Sequence, residues 1–143
     1  MDKQEYSKLT DRKVPKSKCI TNCIKAFLIG GAICTVGQCF LSFFKSMQLP
    51  EDIAGGATSI CMVFIGVLLT GLDIYPKIAK HGGAGTLVPI TGFANAVSAP
   101  AIEAKTEGFV LGVGTKIFTI AGPVILYGTA ASFAAGIIFF FMK

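Results

Sequence analysis

The stretch IFTIAGPVILYGTAASFAAGIIFFFM, residues 117–142, decides the fold class of this chain. None of its residues carries a charge. A helix needs about 20 such residues to cross the ~30 Å hydrocarbon core of a bilayer. The stretch therefore predicts a membrane-spanning helix, with Gly122 and Pro123 as candidate hinge residues inside it.

The composition of the whole chain also indicates a membrane protein. Of its 143 residues, 52% are hydrophobic and 15% are charged, whereas soluble domains carry about 25% charged residues. So few charges cannot cover a water-soluble surface at this chain length. The composition therefore excludes a soluble globule, a disordered chain and a disulfide-stapled secreted domain. It predicts an all-α integral membrane protein.

Uncharged runs divide the chain into about four membrane segments. We predict a basic cytoplasmic tail over residues 1–22 and a polytopic transmembrane domain over residues 23–143. Within that domain, membrane segments are predicted at about residues 26–45, 53–75, 84–102 and 107–142.

The composition of the third predicted segment is not that of a regular lipid-facing helix. With its flank it holds many helix-breaking and small polar residues and no charge: Gly82, Gly83, Gly85, Thr86, Pro89, Thr91, Gly92, Asn95, Ser98 and Pro100. In hydrocarbon every freed backbone N–H and C=O needs a partner. This composition therefore predicts a broken or re-entrant helix that is shielded by protein or lines a wet cavity.

The basic residues predict the orientation. Seven of the 13 lysines and arginines lie in the first 25 positions, and such a cluster beside a span stays in the cytoplasm and attracts anionic lipid. If residues 84–102 cross the bilayer, Lys105 lies outside and Lys143 returns inside. If residues 84–116 only dip into it, the C-terminus lies outside. Four crossings are the favoured arrangement, because the length suffices and residues 103–107 make a polar turn.

Enzymatic, metal-dependent and nucleic-acid-binding functions find no support in the sequence. His81 has no carboxylate or cysteine pattern beside it, and the glycines that follow it lack the lysine of a phosphate-binding loop. The five cysteines include no C-x-x-C pair; Cys19 and Cys23 leave open S-acylation or a metal contact, beside a plain role as small apolar residues. We expect no catalytic residue, no cofactor, no metal site and no nucleic-acid partner.

Five polar residues in or near the interrupted region are candidates for a solute path: Asn95, Glu103, Lys105, Glu107 and Lys116. Broken helices present dipole ends and unpaired carbonyls to ions, and many transport sites are built in this way. For Asn95 the alternative is a hydrogen bond between helices. For Lys116 the alternatives are a contact with an anionic solute, a pairing with Glu103 or Glu107, and a lysine that snorkels from a helix end.

Several stretches of this region resemble the SpoVA membrane proteins of endospore-forming Firmicutes. They are GGAGTLVPITGFANAV (82–97), PAIE (100–103), EGFVLGVG (107–114), Lys116 and FTIAGPVILYG (118–128). The resemblance covers most of residues 23–143. The long basic tail and the stretch AFLIGG (26–31) are similar to the AC type of this family rather than to the shorter AEb type.

This resemblance implies a component of the channel that moves dipicolinic acid, with its calcium, across the inner spore membrane during sporulation and germination. It implies tension gating, an N-terminus on the core side, and assembly with other SpoVA proteins, including the AEb-type paralogue and a soluble dipicolinate-binding subunit. We expect an oligomer. The alternative function is a non-conducting membrane scaffold that assembles the other subunits.

Overall fold

A computed structural model describes residues 18–142 of the chain. Most of the predicted basic tail and the C-terminal Lys143 lie outside the described residues. Within them, five α-helices follow one another: α1 (Cys19–Ser46), α2 (Glu51–Gly71), α3 (Tyr75–Gly82), α4 (Pro89–Glu103) and α5 (Thr115–Met142). Three short elements join them: 3₁₀ turns at Gly83–Thr86 and Ala104–Glu107, and a π-helical turn at Phe109–Gly114.

The described range contains no β-strand, and three of its helical stretches are long and apolar enough to cross a membrane. These are α1, α2 and the continuous stretch Phe109–Met142. Most large apolar side chains are exposed, and the few buried residues are mainly small. An apolar exterior around a small-residue core is typical of helices packed in lipid. The prediction of an all-α membrane protein is confirmed.

The first two helices begin and end at positions that local chemistry explains. α1 starts at Cys19, before the uncharged run, because a lysine such as Lys25 can remain helical with its ammonium group directed to the membrane surface. Pro50 directly precedes α2 and Glu51 and Asp52 occupy its first turn, where acidic side chains favour the helix dipole. In the connection, Lys45 Nζ lies 2.6 Å from Glu51 Oε1.

The segment predicted at residues 53–75 is divided in the structure. α2 ends at Gly71, and the chain turns at Leu72 and Asp73, where Asp73 has a φ of 57°. The short helix α3 then begins at Tyr75, with Pro76 in its first turn. Proline is well tolerated at that point of a helix because its missing N–H would have no partner there.

The predicted third segment has the form of a broken helix. Residues 83–86 form a 3₁₀ turn, and the α-helical part, α4, has 15 residues. At 1.5 Å per residue, α4 is about 22 Å long, shorter than the ~30 Å hydrocarbon core. α4 packs mainly against α2, whereas α3 and the 3₁₀ turn before α4 pack against α1.

The last helix packs against the rest of the chain only near its beginning. Within α5, half-buried positions occur between Ile117 and Gly122, whereas every residue from Pro123 to Met142 is exposed. The helix continues through Pro123. Proline has no backbone N–H, so the carbonyl of Thr119 lacks its helical partner at this point. The first part of α5 is therefore anchored on α4, and the rest projects from the described fold.

Candidate functional site

The break before α4 is held by one hydrogen bond from α3 and one within the 3₁₀ turn. The hydroxyl of the buried Tyr75 donates to the carbonyl of Thr86 at 2.7 Å, and the Thr86 hydroxyl donates to the carbonyl of Gly83 at 2.9 Å. Both bonds end on carbonyl groups of the short segment where the chain leaves α-helical geometry. The Tyr75 hydroxyl thereby supplies a partner for a backbone carbonyl in an apolar surrounding.

Glycines let this segment lie directly on α1. A Cβ on Gly85 would collide with the backbone of Ala26, and a Cβ on Gly30 would lie 3.0 Å from the carbonyl oxygen of Gly85. Backbone contact at this distance leaves no space for a side chain. The 3₁₀ turn and α1 are therefore joined by main-chain packing that only glycine permits at position 85.

A second glycine contact joins α2 to α4. A Cβ on Gly66 would lie 3.1 Å from the Cβ of Ala94 and 3.3 Å from the carbonyl oxygen of Thr91. Beside it, the Thr70 hydroxyl donates a hydrogen bond of 2.9 Å to Oδ1 of Asn95. The structure thus places Asn95, partly buried, at a helix contact, in the arrangement of an interhelical hydrogen bond.

Thr91 belongs to the interrupted segment but is not among the candidate site residues predicted from the sequence. It is 3% exposed, and its hydroxyl oxygen has no hydrogen-bond partner among the described residues. It lies in the first turn of α4, where Gly66 covers its backbone. The sequence does not predict this burial, because a threonine in an apolar segment can face either lipid or a glycine of another helix.

The four charged candidates lie at or after the end of α4. Glu103 is the last residue of that helix, Lys105 and Glu107 belong to the following 3₁₀ turn, and Lys116 is in the first turn of α5. All four are exposed. In the part of the chain that the structure describes, the ion pairs are Lys45–Glu51 and Lys77–Asp73. The structure therefore does not join Lys116 to either glutamate.

A cavity of about 540 Å³ lies between α2, α4, the π-helical turn and α5. Apolar side chains form most of its walls, with Ser98 and Lys105 as polar exceptions. Lys105 is the one predicted solute-path residue that lines this cavity; Asn95, Glu103, Glu107 and Lys116 do not. The cavity itself could not be predicted, because its walls come from segments far apart in the sequence.

Glycines also form the turn between α4 and α5. Gly108 has a φ of 96°, a conformation that other residues rarely adopt, and a Cβ on Gly112 would collide with the carbonyl oxygen of Ala104. The candidate hinge residues lie farther along. Gly122 is half-buried with open space around its Cα, and Pro123 is exposed.

Within residues 18–142, no group of three histidine, cysteine, aspartate or glutamate side chains lies close enough to hold a metal ion. The five cysteines of this range, Cys19 and Cys23 among them, are free thiols.

Comparison with known proteins identifies the family. Residues 22–138 match the family described as SpoVAC/SpoVAEB sporulation membrane protein. The chain is also 42% identical over 139 residues to the stage V sporulation protein AC of Bacillus subtilis (strain 168), an alignment that covers 96% of this chain and 93% of that protein. No solved structure matches the chain. This chain belongs to the SpoVAC/SpoVAEB family of sporulation membrane proteins.

Proposed function

We propose that the protein is a channel component that moves dipicolinic acid, with calcium, across the inner spore membrane during sporulation and germination. In this proposal its N-terminus faces the core of the spore, and membrane tension opens the path. The protein acts without catalysis and together with other SpoVA proteins, including the AEb-type paralogue and a soluble dipicolinate-binding subunit.

The observation that carries the proposal is the broken helical unit of residues 83–103. Its 3₁₀ turn packs on α1 through Gly85 and its helix packs on α2 through Gly66. Interrupted helices supported by neighbouring helices are common beside the solute sites of membrane transporters. Such a unit, in a chain that belongs to a family of sporulation membrane proteins, is compatible with the passage of a small polar solute.

The 540 Å³ cavity is not a path for a dianion. Its walls are almost entirely apolar, and a charged solute in such a surrounding would lose its hydration without gaining partners. The proposal therefore places the solute path between copies of the chain, or between this chain and other subunits. The exposed Glu103, Glu107 and Lys116 are the candidate contacts on such a shared surface.

The apolar cavity and the largely unpacked α5 also favour the second candidate function, a non-conducting scaffold that assembles the other subunits. Every residue of α5 from Pro123 to Met142 is exposed, so most of its surface is free for lipid or for other subunits. A scaffold would use this surface without enclosing a path.

Flux measurements on purified protein test the two functions. The chain is reconstituted into liposomes loaded with calcium dipicolinate, alone and with the AEb-type paralogue, and release is recorded with and without osmotic tension. Release that increases with tension in either preparation supports the channel. A chain that assembles with its paralogue and gives no release above empty liposomes in either preparation rejects the channel and leaves the scaffold.

A further inference from the structure

We propose that the 540 Å³ cavity is a binding groove for a phospholipid, with one acyl chain between α4 and α5 and the phosphate at Lys105. This inference is independent of the solute that the protein moves. It rests on the length of the groove, the apolar character of its walls and the position of Lys105.

The groove follows two stripes of side chains at helical spacing. On one side Ala94, Ser98, Ala101 and Lys105 follow one another along α4 and the turn after it; on the other side the stripe runs from Phe109 to Ala121. The twelve steps from residue to residue, at 1.5 Å each, make the second stripe about 18 Å long. Half of a ~30 Å hydrocarbon core is about 15 Å, so the groove matches the depth that an acyl chain reaches in one leaflet.

The walls select an apolar occupant. Side chains such as Val63, Val67 and Phe109 line the groove and are also exposed, so it opens onto the apolar exterior of the protein. Water in the groove would have few hydrogen-bond partners. If the groove were empty, its wall side chains would lack packing contacts on that side. A hydrocarbon chain restores those contacts without loss of hydration.

The charge selects the headgroup. Lys105 is exposed, lines the groove and makes no ion pair within residues 18–142. Its charged neighbours are Glu103, the last residue of α4, and Glu107 in the same 3₁₀ turn, and neither lines the groove. The stem of Lys105 thus lines one end of the apolar stripe, and in the proposal its ammonium group meets the phosphate that the acyl chain carries.

Two matched pairs of variants test the assignment. Lys105→Gln removes the charge, and Lys80→Gln removes an exposed lysine of α3 that does not line the groove. Ala121→Phe fills the groove from α5, and Ala130→Phe adds the same side chain at an exposed position of that helix. Binding of phosphatidylglycerol and of diacylglycerol to the detergent-purified full chain is measured by native mass spectrometry, with gel filtration as the test of folding.

Lys105→Gln is expected to weaken phosphatidylglycerol binding about fivefold, the effect of one basic residue near a lipid headgroup. It should leave diacylglycerol, which lacks the phosphate, unchanged. Ala121→Phe should weaken binding of both lipids, and the two control variants should bind as the unmodified chain does. Unchanged phosphatidylglycerol binding by Lys105→Gln would overturn the proposal. An Ala121→Phe variant that still binds both lipids would also overturn the proposal. An Ala121→Phe variant that changes only in its oligomeric state would overturn it too, because the groove would then hold a second copy of the chain.

Discussion

The hydroxyl of Thr70 on α2 donates a hydrogen bond of 2.9 Å to the side-chain oxygen of Asn95 on α4. The same hydroxyl lies 2.7 Å from the carbonyl oxygen of Gly66, the glycine of α2 that packs against Ala94 and Thr91 of α4. The polar contact and the glycine contact thus lie side by side and fix the broken helix to its neighbour.

Replacing Thr70 by Val and Asn95 by Ala, singly and together, should reveal a coupling of about 0.6 kcal/mol in the free energy of unfolding, the average for hydrogen bonds between membrane helices. The measurement is unfolding in mixed micelles. Thr58→Val is the matched control, because the Thr58 hydroxyl bonds only to its own helix, at Ala54. Additive effects of the two substitutions would show that the hydrogen bond does not join the helices.

Gly85→Ala should destabilise the fold by about 1–3 kcal/mol, because the new Cβ would collide with the backbone of Ala26. The thermal midpoint of the detergent-solubilised protein reports the loss. Gly31→Ala is the control on α1, since a Cβ there meets nothing within 4 Å. Equal midpoints for the two variants would contradict the close packing of the 3₁₀ turn on α1.

Four crossings predict that residue 105 and the C-terminus lie on opposite sides of the membrane. The check is labelling with a membrane-impermeant thiol reagent in a background without the native cysteines, with single cysteines introduced by Lys105→Cys or after Lys143. With four crossings, the reagent added to intact cells should label the cysteine at position 105 and not the cysteine after Lys143. Labelling of the C-terminal cysteine alone would instead assign residues 84–116 to a re-entrant loop.

Removing a charge beside the proposed shared path should change the flux of an anionic solute. Lys116→Ala is expected to lower dipicolinate release about fivefold if the ammonium group attracts the dianion near the protein surface, and Glu107→Gln is expected to raise it. Release from liposomes is the measurement, with co-purification of the paralogue as the control for assembly. Unchanged flux in both variants would remove the two residues from the path.

Replacing Gly122 and Pro123 together by Ala should stiffen α5, because it restores the backbone donor that proline lacks and removes the glycine beside it. We expect a higher tension threshold for solute release, measured by graded osmotic downshift of loaded liposomes. Since Gly122 has open space around it, the added methyl group should not disturb packing. A threshold identical to that of the unmodified chain would show that these residues are not a hinge.

The amino-acid sequence by itself determined the class of the fold and the position of its break. Uncharged runs longer than a bilayer requires leave few structures besides membrane helices, since every backbone group must be paired within its own segment. The cluster of glycines and prolines from Gly82 to Pro100 likewise predicts an interrupted helix, and the structure has its 3₁₀ turn at Gly83–Thr86. These properties depend on neighbours along the chain.

Only the tertiary structure decided which polar groups meet. Asn95 pairs with Thr70, Thr91 is buried under Gly66, and Lys105 lines a groove that Lys116 does not reach. Residues separated by many positions form each of these contacts, and small residues such as Gly66 and Gly85 set how closely the helices approach. The spacing of polar residues along one segment does not specify which helix lies opposite, so these relationships arise from packing alone.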